Sequence, residues 1–263
     1  METRKPKVVV VMPAYNAQHT LEKTWREVIA HDVVDLVIVV DDASQDGTMQ
    51  LAQGLDRVIA HRHPQNLGYG GNQKTCYQLA LDHGADIVVM VHPDYQYTPK
   101  LIPAMVSMVG SGLYGCVLAS RILGGGALAG GMPMWRYVAN RFLTLFGNIL
   151  LGTKVSEFHT GYRAYSRELL LLLPMSANSD DFVFDNQVLA ETVWLGFQIG
   201  EVSCPTSYAP DASSINFSRS VRYGFGCLGT AAQFRLAKWG MLRSDRFPAA
   251  KHLAYSTWRQ RAN

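Results

Sequence analysis

Long apolar runs recur through the first half of the chain, and each gives way to a stretch with a different period. Lys7–Met12 (KVVVVM), Asp35–Val40 (DLVIVV), Arg57–His61 (RVIAH), Ala85–Val91 (ADIVVMV) and Gly115–Ser120 (GCVLAS) read as strands. Runs that are apolar at nearly every position, rather than alternating, belong to strands covered on both faces. Between them Leu21, Thr24, Trp25, Val28 and Ile29 recur at helical spacing. Ser44–Thr48 (SQDGT) offers turn and N-cap chemistry before a short helix, and a glycine-rich turn (NLGYGGNQ) opens another that runs to about His83. Strands alternating with helices predict right-handed crossovers and an α/β fold with a mostly parallel, Rossmann-like sheet flanked by helices.

Gly124–Pro133 (GGGALAGGMP) separates the sheet from the second half of the chain. Beyond it Trp135, Val138, Ala139, Phe142, Leu145, Phe146, Ile149 and Leu150 keep a helical period, with Arg136, Asn140, Arg141, Thr144 and Asn148 on the other face. This predicts a strongly amphipathic helix whose apolar stripe packs on the core; a helix lying on a membrane surface is the competing reading. In Ser179–Gly196, Asp185 shares a helical stripe with Phe182, Val188, Leu189 and Thr192, while Asp180 and Asp181 read as caps at the helix start. The chain closes on a basic, aromatic segment. The expected organisation is a main domain over residues 1–226 and a basic, amphipathic helical tail over 227–263.

Composition narrows the class. At 48% hydrophobic and 17% charged the chain can bury a large core, and a net charge of +3 without a dense Lys/Arg run argues against a nucleic-acid partner. Four scattered cysteines, with no CxxC pair, indicate neither a disulfide framework nor a zinc site. The apolar run near the N-terminus is too short for a signal peptide, and nowhere do the roughly 18 apolar residues of a membrane span occur. The expected location is the cytoplasm, with contact at the inner membrane face left open.

In an open parallel sheet, ligands bind outside the carboxyl ends of the strands. Pro13-Ala14-Tyr15-Asn16, Asp41-Asp42 and His92-Pro93-Asp94 each come directly after a predicted strand, so three strands deliver polar groups to one rim. Asp41 and Asp42 are placed to accept hydrogen bonds from a ribose or base. His92, Asp94 and Gln96 alternate, and in an extended segment they would point the same way, a donor set suited to Mg²⁺ or Mn²⁺ holding a diphosphate. An inward Asp185 is costly without a partner or a function, and burial would push its carboxyl toward the range of a general base. Phe158–Arg167 (FHTGYRAYSR) reads either as a phosphate or acceptor contact or as a buried strand with an exposed arginine.

Taken in order, VVMPAYNAQHTLEKT, VIVVDDASQDGT, HPDYQYTP, HTGYRAYSR and FVFDNQVLAE…GFQIGEVSCPTSY resemble the inverting family 2 glycosyltransferases of GT-A fold. The branch is similar to dolichol-phosphate mannose synthase and other polyprenyl-phosphate glycosyltransferases, over about Val8 to Gly226. The resemblance implies a metal-dependent enzyme using Mg²⁺ or Mn²⁺. It would move a sugar from a UDP- or GDP-linked donor to a polyprenyl phosphate, or to a glycan or other soluble acceptor. It assigns Pro13, Tyr15, Asn16, Asp41 and Asp42 to the nucleoside, Asp94 and Gln96 to the metal, and Asp185 to acceptor activation. The family's Asp-x-Asp is altered here, with His92 at its first position. Tyr208–Gly226 resembles a loop that closes over the diphosphate, with Ser214, Arg219 and Arg222 as phosphate contacts. A nucleotidyltransferase would want a glycine- and lysine-rich loop after the first strand, and PAYNAQ is not one; a non-catalytic sugar-nucleotide binder stays open.

Overall fold

The computed structural model describes residues 4–206 and 217–248. One seven-stranded sheet runs in the order β3-β2-β1-β4-β6-β5-β7. Its strands are β1 (Val8–Ala14), β2 (Leu36–Asp41), β3 (Val58–Arg62), β4 (Ile87–Met90), β5 (Cys116–Ser120), β6 (Arg163–Ser166) and β7 (Ile199–Ser203). All pairings are parallel except those of β6, which lies antiparallel between β4 and β5. The sheet is thus mixed, and FHTGYRAYSR takes its strand form, with one change. Arg163 is completely buried rather than exposed.

The apolar strands are explained by cover on both faces. Val9 and Val11 enter one core cluster while Val8, Val10 and Met12 enter the other. Each such side chain, fully buried, contributes on the order of 2 kcal/mol. The helices are α1 (Leu21–Ile29), α2 (Thr48–Gln53), α3 (Tyr69–Asp82), α4 (Ile102–Gly110), α5 (Met134–Leu151), α6 (Arg167–Leu172), α7 (Phe184–Trp194) and α8 (Phe217–Lys238). α1 buries Leu21, Thr24 and Val28, as its period predicts.

α5 does the opposite. Its buried positions are Asn140, Thr144, Gly147 and Leu151, whereas Val138, Phe142, Leu145 and Ile149 are 51–60% exposed. The chain just beyond α5 causes the inversion by presenting polar groups to it. Asn140 Nδ2 donates to Glu157 Oε1 at 2.8 Å, Arg141 donates to the Ser156 carbonyl at 2.5 Å, and Asn148 donates to the Val155 carbonyl at 2.8 Å. Gly147 lets the helix approach Phe158, whose ring would stand 2.9 Å from any Cβ there.

Two further expectations are corrected. Phe217–Gly226 is helical, forming the first part of α8 rather than a loop, while Ser214 lies outside the described residues. The expected boundary at 226/227 falls inside α8, whose Cys227, Ala231 and Phe234 are buried, together with Phe247 beyond it. Phe234 and Phe247 pack on Trp194 of α7, so α8 and Phe247 join the core, while Trp239, Met241 and Leu242 between them stay exposed.

Candidate active site

β1, β2, β4, β5 and β7 run the same way, so their carboxyl ends share a rim, and the segment leading into β6 returns to that rim. A cavity of about 700 Å³ opens there. Pro13, Tyr15, Asn16, Asp42, His92, Asp94, Gln96, Asp185 and Arg219 all line it. Asp41 and Arg222 are not among its walls. Asp41 is fully buried, taking the Ser44 N–H at 3.2 Å and facing Arg62 at 3.4 Å. Arg222 is exposed on α8.

At the β1–β2 end, Asp42 organises the glycine-rich turn. Its Oδ1 accepts from Leu67 N at 2.8 Å and faces His63 Nδ1 at 2.8 Å, and its Oδ2 accepts from Gly68 N at 3.0 Å. Gly68 has φ +86°, a conformation that favours glycine. At Gly70 a Cβ would stand 2.5 Å from the Ser179 carbonyl, which is how α3 approaches the loop before α7 so closely. Asn16, itself at φ 50°, accepts from Gln45 N at 3.0 Å and donates its own N–H to Ser44 Oγ at 2.8 Å. Ser44 therefore braces the β1 loop instead of capping α2, whose N-cap is Gly47.

His92, Asp94 and Gln96 meet the cavity, but by a different route from the one the spacing suggests. The chain turns at Pro93-Asp94, Tyr95 sits at φ 56°, and Asp94 Oδ1 accepts from Gln96 N at 3.0 Å. A turn, not extended alternation, brings them together.

Asp185 sits in the first turn of α7, a helix buried on nearly every side from Phe184 to Thr192. Tyr69 donates to its Oδ2 at 2.7 Å, Gln73 Nε2 donates to its Oδ1 at 3.1 Å, and the Arg163 guanidinium lies 3.7 Å away. Arg163 also donates to the carbonyls of Asp185, Thr160 and Phe158. The buried acid has a buried cation and two donors, so its place is accounted for electrostatically. Burial, reinforced by the Asp185 charge, holds the Tyr69 phenol well above its usual range, so it keeps its proton. Asp180 and Asp181 are not caps: Asp180 pairs with Lys74 at 2.7 Å, and Asp181 accepts from Phe182 N at 2.8 Å.

The cavity is also lined by basic groups, and sequence reading missed most of them. Arg121, Arg136, Asn140, His159 and Tyr223 join Arg219 there. Arg121 donates from N and Nε to Glu157 at 2.8 Å each, pairs with it again through Nη2, and reaches the His159 carbonyl at 2.8 Å. Burial pushes the Glu157 carboxyl up, but the Arg121 charge and hydrogen bonds outweigh it and leave it lowered. Burial pushes His159 down to about 4, which keeps it neutral near pH 7. His159 Nδ1 bonds the Tyr223 hydroxyl at 2.7 Å, and its buried Nε2 has no partner among the described residues. The strand-end rule, applied to the last strand of the first half, points to Arg121 directly after Ser120; nothing in the helical period of α5 signalled that its polar side faced the site.

Acidic and amide groups on the carboxyl rim of a parallel-rich sheet share one cavity with several arginines. The sequence model for glycosyl transferase family 2 matches residues 9–172, and the chain belongs to that family. A UDP-N-acetylglucosamine–dolichyl-phosphate N-acetylglucosaminyltransferase of Methanococcus voltae is 27% identical over 217 residues, 76% of this chain and 86% of the relative. A polyprenol monophosphomannose synthase of Mycolicibacterium smegmatis is 26% identical over 241 residues, covering 89% and 87% respectively. The crystal structure of glucosyl-3-phosphoglycerate synthase from Mycobacterium tuberculosis, in complex with Mn²⁺, UDP and glucosyl-3-phosphoglycerate, superposes with a TM-score of 0.66. Identity there is 22%, over 91% of this chain and 82% of that one. The fold is therefore of the GT-A kind, as the sequence motifs led one to expect.

Proposed function

We propose that this family 2 glycosyltransferase moves a sugar from a UDP- or GDP-linked donor to the phosphate of a polyprenyl phosphate, with inversion at the anomeric carbon. The observation that carries the reading is the cavity's polarity. Asp42, Asp94 and Asp185 line the same space as Arg121, Arg136 and Arg219. Pro13, Tyr15, Asn16 and Asp42 hold the nucleoside. The acceptor oxygen attacks the anomeric carbon while the bond to the diphosphate breaks, and the electron pair leaves with the nucleoside diphosphate. Guanidinium groups suit the acceptor's phosphate oxygens by bidentate bonding; Arg121 and Arg136 fill that role, and Arg219 faces the diphosphate. A phosphate acceptor arrives ionised and needs no base, so Asp185 acts through the groups it holds, Tyr69, Gln73 and Arg163, rather than on the acceptor itself.

His92, Asp94 and Gln96 offer an imidazole, a carboxylate and an amide. No three His, Cys, Asp or Glu side chains gather into a metal cage among the described residues. Such a thin donor set fits a divalent ion that takes its other ligands from a diphosphate and water. A bound Mg²⁺ or Mn²⁺ supplies charge neutralisation on the leaving group.

Two features favour a lipid acceptor over a soluble one. A groove of about 320 Å³, lined by Phe142, Val221, Phe225 and Leu228, shares Trp135, Ala139 and Leu143 with the main cavity. The outward apolar stripe of α5 adjoins it, with Phe225 of α8 72% exposed. No helix among the described residues is long and apolar enough to cross a membrane. In this reading the apolar face of α5 and α8 is the surface that meets the bilayer. Purified protein incubated with UDP- and GDP-sugars, Mg²⁺ or Mn²⁺ and a short-chain polyprenyl phosphate should form lipid-linked sugar, and EDTA should stop it. Failure to bind or turn over any such donor would sink the reading; turnover with soluble acceptors alone would redirect it to them.

A further inference from the structure

Tyr69 opens α3 at the end of the glycine-rich turn, and its hydroxyl stands between two functional candidates, 2.7 Å from Asp185 Oδ2 and 3.1 Å from His92 Nε2. The Tyr69 and His92 rings stack with centroids 5.4 Å apart, and Phe182 closes on Tyr69 at 4.6 Å. Gly161 fixes the pair from one side, since a Cβ there would lie 2.7 Å from His92 Nε2 and 3.3 Å from the phenol oxygen.

The hydroxyl has one proton to give. Asp185 is an acceptor whose other neighbours, Gln73 and Arg163, are donors, and its distance to the phenol is the shorter. The proton therefore goes to Asp185, and the phenol oxygen is left to accept. It accepts from His92 only if Nε2 carries the hydrogen. In the neutral imidazole, the form that can ligate a cation, the single N–H is then on Nε2 and Nδ1 holds the lone pair. Nδ1 of His92 has no hydrogen-bond partner among the described residues, and His92 lines the cavity beside Asp94.

We infer that Tyr69 is a positioning residue that ties Asp185 to His92 and sets the imidazole in its Nε2–H tautomer. Nδ1 is thereby offered as a neutral ligand to a divalent cation held with Asp94. This rests on the cation site of the proposed function. It also gives a physical account of a histidine where an acid is expected: the imidazole takes one carboxylate charge out of the site, and a fixed tautomer keeps it able to ligate.

Protein labelled with ¹⁵N in its imidazole rings tests this without turnover, with the His92 signals assigned among the eight histidines by comparison with His92→Asn. In metal-free wild type, Nε2 of His92 should appear protonated and Nδ1 unprotonated, and adding Mg²⁺ with UDP should shift Nδ1. Tyr69→Phe keeps the ring stack but should release the tautomer to a mixture. It should also lower kcat about tenfold or more, the size expected for a lost hydrogen bond to a charged group, and change the donor KM less than about twofold. A wild-type Nδ1–H tautomer overturns the inference, as does a tautomer indifferent to Tyr69→Phe. Should that variant fail to fold, the wild-type spectrum still decides. An Nδ1 untouched by Mg²⁺ in an enzyme that turns over removes the ligand role, while the predicted tautomer in a protein with no transferase activity removes the functional reading instead.

Discussion

Helices α1 and α5 each carry an apolar stripe, and they turn these stripes in opposite directions. α1 sends Leu21 and Val28 into the core under β1. α5 sends Asn140 and Thr144 inward and leaves Phe142, Leu145 and Ile149 outside. The difference lies in what each helix meets. α1 faces valines, so burial of hydrocarbon decides. α5 faces Glu157 and the carbonyls of residues 155 and 156, whose unpaired burial would cost more than exposing a leucine does. The same contrast divides the molecule: the interior around β1 and β2 is apolar, while the interior under α5 and behind β6 is a polar network around Arg163 and Glu157. A period shows that a helix is amphipathic; the neighbour decides which side is buried.

The contrast can be attacked through the polar interior first. Arg163→Met leaves Asp185 without its buried cation and strips donors from three carbonyls, so unfolding stability should fall by about 3–5 kcal/mol in denaturant titrations. A loss under about 1 kcal/mol would mean the network is decorative. On the apolar side, Leu21→Ala should cost about 2–5 kcal/mol by the same measurement while leaving activity per folded molecule intact.

His159 gives a pH signature confined to the polar half. Its folded-state value, pushed down by burial to about 4, lies below the ordinary 6.5. The unfolded chain therefore binds the extra proton between these values, and stability present above pH 6.5 is lost as pH falls toward 4, on the order of 3 kcal/mol at most. Replacing His159 by Asn should flatten that slope; an unchanged slope would place the acid lability elsewhere. Smallest in stability is the outward stripe. Glutamate at Val138, Leu145 and Ile149 together should shift stability by roughly 0.5 kcal/mol per site or less, because these side chains are more than half exposed and line neither the cavity nor the groove.

The rim at β1, β2 and β4 was legible because valine-rich strands end abruptly in polar residues, and topology alone sends those ends to one edge. Asp42 and Asp94 meet there as that rule implies, and Asp185 joins them from the first turn of α7. Asp41 does not, because adjacent residues of a strand point to opposite sides and only one of the pair reaches the cavity. The other half was harder to read. β6 is short and carries an arginine, so its sequence offers a buried strand only as one of two readings and puts the arginine outside, whereas it is fully buried. Arg121 simply follows the end of β5, whereas Arg136 and Asn140 take their place from a helix orientation that depends on a loop more than ten residues away. Local periodicity holds no information about that partner.

One cavity holds both the acidic groups of the sheet rim and several arginines, and the exposed apolar face of α5 adjoins the groove beside it; the proposed transfer of sugar to a lipid phosphate depends on that continuity. The decisive comparison sets wild type against the triple glutamate variant, using one sugar nucleotide and two acceptors, a short water-soluble polyprenyl phosphate and a long one in vesicles. Both proteins should glycosylate the soluble acceptor at similar rates, and only wild type should be efficient on vesicles. Equal rates on vesicles, or equal losses on both acceptors, would break the link between the α5 face and the lipid.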